Sequence, residues 1–297
     1  MTTSDTLGIA PPDYRLPATI SLGAVALQVS DLDRSRAWYQ RVLGLHEIAR
    51  TDRAVQLGAH DGASPLVELR PGATGTVAPT RSRLGLFHFA VLLPDRPSLG
   101  TLIRHLGEAG APFGASDHLV SEALYLRDPD GLGIEVYADR PRSHWKSDGR
   151  QLLMDTIPLD LEAVVASAGD ARWHGMPRDA VMGHMHLHVG TIERAEQFYH
   201  AALGLDKVVW SYPGALFLSA GGYHHHLGVN TWAGPSAVPA TAAEPRLVEW
   251  CLALPTPGDV ERASASLRDA GFAPQPEGAD VVVRDPWGTA LRITTRP

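Results

Sequence analysis

Two phrases occur twice, in the same order, and they constrain the fold more than anything else in the chain. The first copy runs Leu22-Gly23-Ala24-Val25, Asp31-Leu32-Asp33-Arg34-Ser35, Trp38-Tyr39 and Leu43-Gly44-Leu45. The second runs Met182-Gly183-His184-Met185, Thr191-Ile192-Glu193-Arg194-Ala195, Phe198-Tyr199 and Leu203-Gly204-Leu205. Ala24 maps onto His184 and Tyr39 onto Tyr199 without a gap, the signature of an internal repeat. Each copy reads as a strand followed by a helix. Val25, Leu27 and Val29 alternate as strand residues do, Asp31 or Thr191 caps the helix, and the glycine ends it. A second repeat closes each half: Tyr125-Leu126-Arg127-Asp128-Pro129-Asp130-Gly131 and Val283-Arg284-Asp285-Pro286-Trp287-Gly288. In Asp-Pro-x-Gly the proline fixes φ and the glycine accepts positive φ, so a strand pairs with the next across the turn.

Between opening and closing phrases each half has another strand-helix passage: 85–94 with a helix near 98–110, and 246–255 with a helix near 259–271. The chain therefore reads as an α+β protein of four β-α-β-β-β (βαβββ) units, at roughly 21–72, 83–139, 182–234 and 245–296. The expected organisation is a flexible arm (1–18), an N-terminal domain of two units (19–139), a connecting segment (140–180) with a short helix near 159–168, and a C-terminal domain of two units (181–297). With 297 residues, 44% of them apolar, there is enough material for two cores. A net charge of −7 speaks against a nucleic-acid binder. There is no apolar run of membrane-spanning length and no basic-then-apolar leader within residues 1–16. The single cysteine, Cys251, makes no internal disulfide, so a cytoplasmic protein is expected.

Four longer phrases carry a family resemblance. They are Gly85-Leu86-Phe87-His88-Phe89-Ala90, Ser116-Asp117-His118-Leu119-Val120-Ser121-Glu122-Ala123-Leu124-Tyr125, Met182-Gly183-His184-Met185-His186-Leu187-His188-Val189, and Gly222-Tyr223-His224-His225-His226-Leu227-Gly228. The chain resembles the vicinal-oxygen-chelate superfamily of glyoxalase I, bleomycin-resistance proteins and type I extradiol dioxygenases, and most of all the catechol 2,3-dioxygenases of the CatE type. The resemblance implies two tandem vicinal-oxygen-chelate domains with U-shaped, antiparallel-rich sheets. Pairs of units cup a divalent metal, with ligands early in the first strand and late in the fourth strand of each unit. Those positions hold Ala24 and Glu68 in unit 1, and His88 and Glu135 in unit 2. They hold His184 and one of His224, His225 and His226 in unit 3, and Trp250 and Arg292 in unit 4. Only units 2 and 3 together supply two histidines and a carboxylate. The expected metal ligands are His88, Glu135 and His184, gathered across the two halves, with units 1 and 4 forming a metal-free partner cup.

Two imidazoles and one carboxylate suit Fe(II) and leave positions for a diol and O2, although Mn, Zn or Ni accept the same donors. The resemblance thus implies an Fe(II)-dependent extradiol dioxygenase that opens a small aromatic diol of catechol type beside its hydroxyls. It puts His225 on the proton-transfer position and Tyr125, ten residues before Glu135, on the substrate oxygen. His118 becomes a substrate hydrogen-bonding candidate, although two extra residues separate its phrase from Tyr125. If 224–226 is a strand, His224 and His226 share one face and His225 takes the other; the residues alone leave that choice open. His186 and His188 lie on the same strand face as His184 and compete with it. Trp210, Trp232, Phe87 and Phe89 read either as core packing or as walls of an aromatic pocket. The remaining histidines, Glu68 and Cys251 read as structural. Two alternatives compete. A glyoxalase-like isomerase or lyase needs a second carboxylate where this chain is histidine-rich, and a metal-free binding protein has no use for the three ligands. Sheet edges in such folds often pair between subunits, which allows a homo-oligomer.

Overall fold

The computed structural model describes residues 7–62, 64–75 and 82–295. Its α+β architecture consists of two curled, antiparallel-rich sheets of nine strands each, with helices packed on their outer faces, plus one two-stranded ribbon. One sheet runs Asp206–Val209, Ala215–Ser219, Leu227–Asn230, Val181–His188, Arg83–Leu92, Gly133–Asp139, Ser121–Arg127, Gly114–Asp117, with Val238–Pro239 as a ninth strand on Arg83–Leu92. The other runs Gln275–Glu277, Asp280–Arg284, Ala290–Thr295, Arg246–Leu254, Val25–Val29, Pro65–Pro71, Val55–Gly58, His46–Arg50, with Ser21–Leu22 as a ninth on Arg246–Leu254. Units 2 and 3 therefore share one sheet, and units 1 and 4 share the other. Each of the two tandem halves thus gives one unit to either sheet. One apolar cluster of the described residues takes in helix and strand residues of all four units, from Leu16 to Ile293.

Local chemistry builds the units as expected. Asp31 accepts from the Arg34 N–H to open Leu32–Leu43, and Gly44, at φ 63°, closes it. Asp95 caps Arg96–Glu108 through the Ser98 N–H, and Thr256 and Asp259 cap Pro257–Asp269 reciprocally. The unit 3 helix begins at Ile192–Ala195 under a Thr191 cap and then widens to π-helical geometry over Glu196–Ala202. The connecting segment supplies Leu161–Ser167, which packs on Arg96–Glu108. There Gly100 faces the Val164 carbonyl so closely that a Cβ would sit 2.4 Å from its oxygen.

The repeats also explain how the sheets are joined. The Asp-Pro-x-Gly aspartates accept N–H bonds inside their own turns, from Asp130 and Leu132 at Asp128 and from Trp287 and Thr289 at Asp285. Each also accepts the phenol of the opening repeat: Tyr39 donates to Asp128 (3.2 Å) and Tyr199 to Asp285 (2.9 Å). Units 1 and 2 belong to different sheets, as do units 3 and 4, so these buried bonds tie one sheet to the other.

The arm departs from expectation. Residues 1–6 lie outside the described residues, but from residue 7 onward the segment is docked. Ile9 bridges Lys207, Arg15 grips Asp206 through two bonds of 2.6 and 2.8 Å, and Leu16 is buried in the core. Its Ser, Thr and Pro content suggested a loose tail, but Leu16 and Ile20 have apolar surface to bury and Arg15 has a carboxylate to meet. No helix among the described residues is long and apolar enough to cross a membrane.

Candidate metal centre

His88 sits on Arg83–Leu92, Glu135 on the parallel neighbour Gly133–Asp139, and His184 on the antiparallel neighbour Val181–His188. Register fixes their meeting. Ala90 lies opposite both Glu135 and His184, while His88 lies opposite His186. All three side chains are buried, and one ligand atom from each falls within 4.8 Å of the others. The Nε2 atoms of His88 and His184 approach the same Glu135 oxygen at 3.0 and 3.2 Å. The His88 contact lacks hydrogen-bond geometry, so its Nε2 is a buried polar atom without a hydrogen-bond partner. Such atoms are costly unless something else satisfies them, and a cation among the three donors would do so.

Electrostatics points the same way. Burial alone would raise the Glu135 carboxyl, but the imidazoles of His184 and His88 outweigh it and hold the group well below the usual carboxylate range. Burial lowers both histidines, against the pull of Glu135. The centre thus presents an ionised carboxylate and two neutral imidazoles with lone pairs to give, the donor set of a 2-His-1-carboxylate site. The competing histidines are engaged elsewhere. Asn230 donates to His186 Nε2 (2.9 Å) and accepts from His188 Nδ1 (2.6 Å), while His226 Nδ1 accepts from Ser219 and Ala220.

A cavity of about 250 Å³ opens over the three residues. His225 lines it, its ring 4.1 Å from that of His184. The stretch 224–226 is not a strand but an irregular bend leading into Leu227–Asn230, so alternation does not govern its faces. Instead a chain of bonds turns His225 inward. Asp139 accepts from His224 Nε2 (2.9 Å), and His224 Nδ1 lies 2.7 Å from His225 Nδ1. With Nε2–H given to Asp139, His224 Nδ1 is an acceptor. His225 must then donate from Nδ1, which leaves its Nε2 as the free acceptor. Sequence reading weighed His224 only as an alternative to His225 and did not single out Asp139, which the structure sets in hydrogen-bond contact with it. The only signal was that Asp139 lies four residues after Glu135 on the same strand face.

On the opposite wall, Tyr125 donates to His118 Nε2 (2.5 Å), and His118 Nδ1 donates to the Asp155 carbonyl (2.9 Å). Burial, with the charge of Glu135 added, pushes the Tyr125 phenol well above its ordinary value. Met154, Asp155 and Thr156 of the connecting segment strap the cavity, and Thr156 is 3.0 Å from the Tyr212 hydroxyl. Phe87 and Trp232 are walls, Phe89 is core, and Trp210 is exposed and lies off the cavity lining.

The chain has relatives. The Glyoxalase/Bleomycin resistance protein/Dioxygenase superfamily matches residues 21–136. The chain is 42% identical over 268 residues to the catechol-2,3-dioxygenase of Bacillus subtilis (strain 168), covering 89% of this chain and 93% of that protein. The chain belongs to this superfamily. It is catechol 2,3-dioxygenase-like, and it is also 27% identical to a biphenyl-2,3-diol 1,2-dioxygenase of Rhodococcus globerulus, over 48% of this chain and 77% of that one. Among solved structures, a chain from Bacillus subtilis subsp. subtilis strain 168 shares the fold at TM-score 0.65 and 14% identity, covering 96% of this chain and 87% of that one. Glyoxalase I from Zea mays does so at 0.56 and 16%, covering 93% and 92%.

In this superfamily member the partner cup of units 1 and 4 is closed by charge. Glu249 pairs with Ala26 as His88 pairs with His186, and Arg292 lies beside Cys251 as Glu135 lies beside Ala90. Arg292 makes a two-pronged bond to Glu249 (2.7 and 3.1 Å) where the other cup gathers its donors. The sequence-based position in unit 4 was one residue off. The strands Arg83–Leu92 and Arg246–Leu254 carry equivalent bulges, at Phe87 and Val248, so Glu249 takes the place of His88 on the cup face while Trp250 turns into the core, 1% exposed.

Proposed function

We propose that the protein is an extradiol dioxygenase that uses Fe(II), held by His88, His184 and Glu135, to cleave a small catechol-type diol with O2. The observation that carries this reading is the convergence of those three buried donors, one from unit 3 and two from unit 2, beneath a cavity with aromatic walls. Bound there, Fe(II) would hold the diol and O2 side by side and relay electrons from the diol, which is oxidised, to oxygen. The chain's own residues do the rest. The ionised Glu135 and the neutral imidazoles keep the donor set at a single negative charge. His225, its Nδ1 engaged by His224, receives a diol proton at Nε2 and returns it as the ring opens. Tyr125, ordered by His118, hydrogen-bonds the substrate oxygen and orients the ring. The strap at 154–156 with Phe87 and Trp232 excludes water around it. A glyoxalase-type reaction would need a second carboxylate in the cluster, and the described residues bring only Glu135 there.

The test is direct. Protein purified without oxygen and loaded with Fe(II) is given catechol and air. Consumption of one O2 per diol with a yellow semialdehyde product is expected. A loaded protein that consumes no O2 with catechol or its alkyl- and aryl-substituted forms contradicts the reading.

A further inference from the structure

A second cleft lies on the far side of Phe87 from the metal centre, where the two sheets meet and both Asp-Pro-x-Gly turns arrive. Gly131 and Leu132 line it from one turn, and Trp287 and Gly288 from the other. It holds about 80 Å³, room for roughly three ordered waters. Three arginines enter it: Arg83, Arg127 and Arg246. Arg83 is neutralised by Glu244 at 2.8 Å. Arg127 spends one bond on the Gly131 carbonyl. Arg246 has a buried Nε that makes no hydrogen bond, and neither Arg127 nor Arg246 meets a carboxylate among the described residues. Burial, with the charge of Arg284 nearby, holds the Arg246 guanidinium below its ordinary value. In a chain of net charge −7 this is a local surplus of positive charge, with a buried donor left unmet.

We propose that this cleft is a second ligand site, distinct from the metal centre, which takes a compact oxyanion such as a small dicarboxylate or phosphate in the fork of Arg246 and Arg127. Guanidinium groups recognise planar carboxylate and phosphate oxygens in pairs, and the cleft has the size of such an ion. Phe87 and Trp287 give it an apolar flank. The Phe87 ring is 4.9 Å from His88 and 4.8 Å from His188, so a single side chain separates the two sites. The inference rests on the cleft alone and stands apart from the reaction proposed above.

Calorimetric titration of the purified protein with malonate and, separately, with inorganic phosphate, at ionic strength held constant with sodium chloride, tests it. Saturable binding of at least one probe is expected, one per chain. The affinity should fall at least tenfold in Arg246→Gln and in Arg127→Gln and stay unchanged in His184→Ala. The tighter probe tells a carboxylate site from a phosphate site. Arg127 is exposed, so its substitution leaves the fold intact and decides the matter alone if Arg246→Gln fails to fold. No saturable binding of either probe, an affinity unchanged in the folded arginine variants, or a loss that follows His184→Ala instead would overturn the proposal.

Discussion

In the proposed reaction His225 carries the proton, and its orientation in the cavity depends on two neighbours. Asp139 fixes His224, and His224 fixes His225. Replacing His225 with alanine is expected to leave metal content unchanged, as measured by elemental analysis, while turnover falls by roughly 10²–10⁴. An unchanged turnover would remove His225 from the chemistry. Much of this was legible from the residues: His88, His184 and Glu135 stand at fixed places in repeated units, and His225 lies in a distinctive phrase. The Asp139 support was hidden because it depends on a bend at 224–226 that reads, from sequence, as a strand. The choice of Trp250 has no such excuse: laying Pro94 on Pro255 without a gap already sets Glu249 on His88, and the structure keeps that register.

At the scale of elements, the tyrosine-aspartate bonds between repeats are the joints. Tyr199→Phe leaves the Asp285 carboxylate without its cross-sheet donor and should cost about 1–3 kcal/mol of stability, read from denaturant midpoints. A loss near zero would mean that the Tyr199–Asp285 bond adds nothing to the joint. Asp128 adds a pH signature. Burial, helped by Asp130, pushes its carboxyl up to about 6 in spite of the N–H bonds it accepts. The folded protein therefore holds this proton more tightly than the unfolded chain does. Between the unfolded value of 3.8 and about 6, this one group makes stability fall as pH rises. Asp128→Asn should remove that slope, so the stability difference between wild type and variant should change between pH 4 and 6.5. A difference that stays flat would show that Asp128 titrates normally. Strand and helix positions were read closely from caps and turns, but which strands become neighbours was not written in any local motif.

The whole molecule turns on that pairing. Each half carries two units, and neither half contains the full donor set. Histidine chemistry in units 2 and 3, set against Ala24, Glu68 and Arg292 in the others, was enough to infer from sequence that the cup spans the halves. The docking of residues 7–18 and the Arg292–Glu249 closure of the partner cup were not legible, because both depend on surfaces that exist only after the sheets assemble. The central claim is that one metal ion is held jointly by residues 88, 135 and 184. Anomalous diffraction at the iron absorption edge, on crystals of protein loaded with Fe(II) without oxygen, tests it most directly. The account predicts one strong peak about 2.0–2.2 Å from His88 Nε2, His184 Nε2 and a Glu135 oxygen. A peak elsewhere, or none in a loaded protein that turns over catechol, would contradict it.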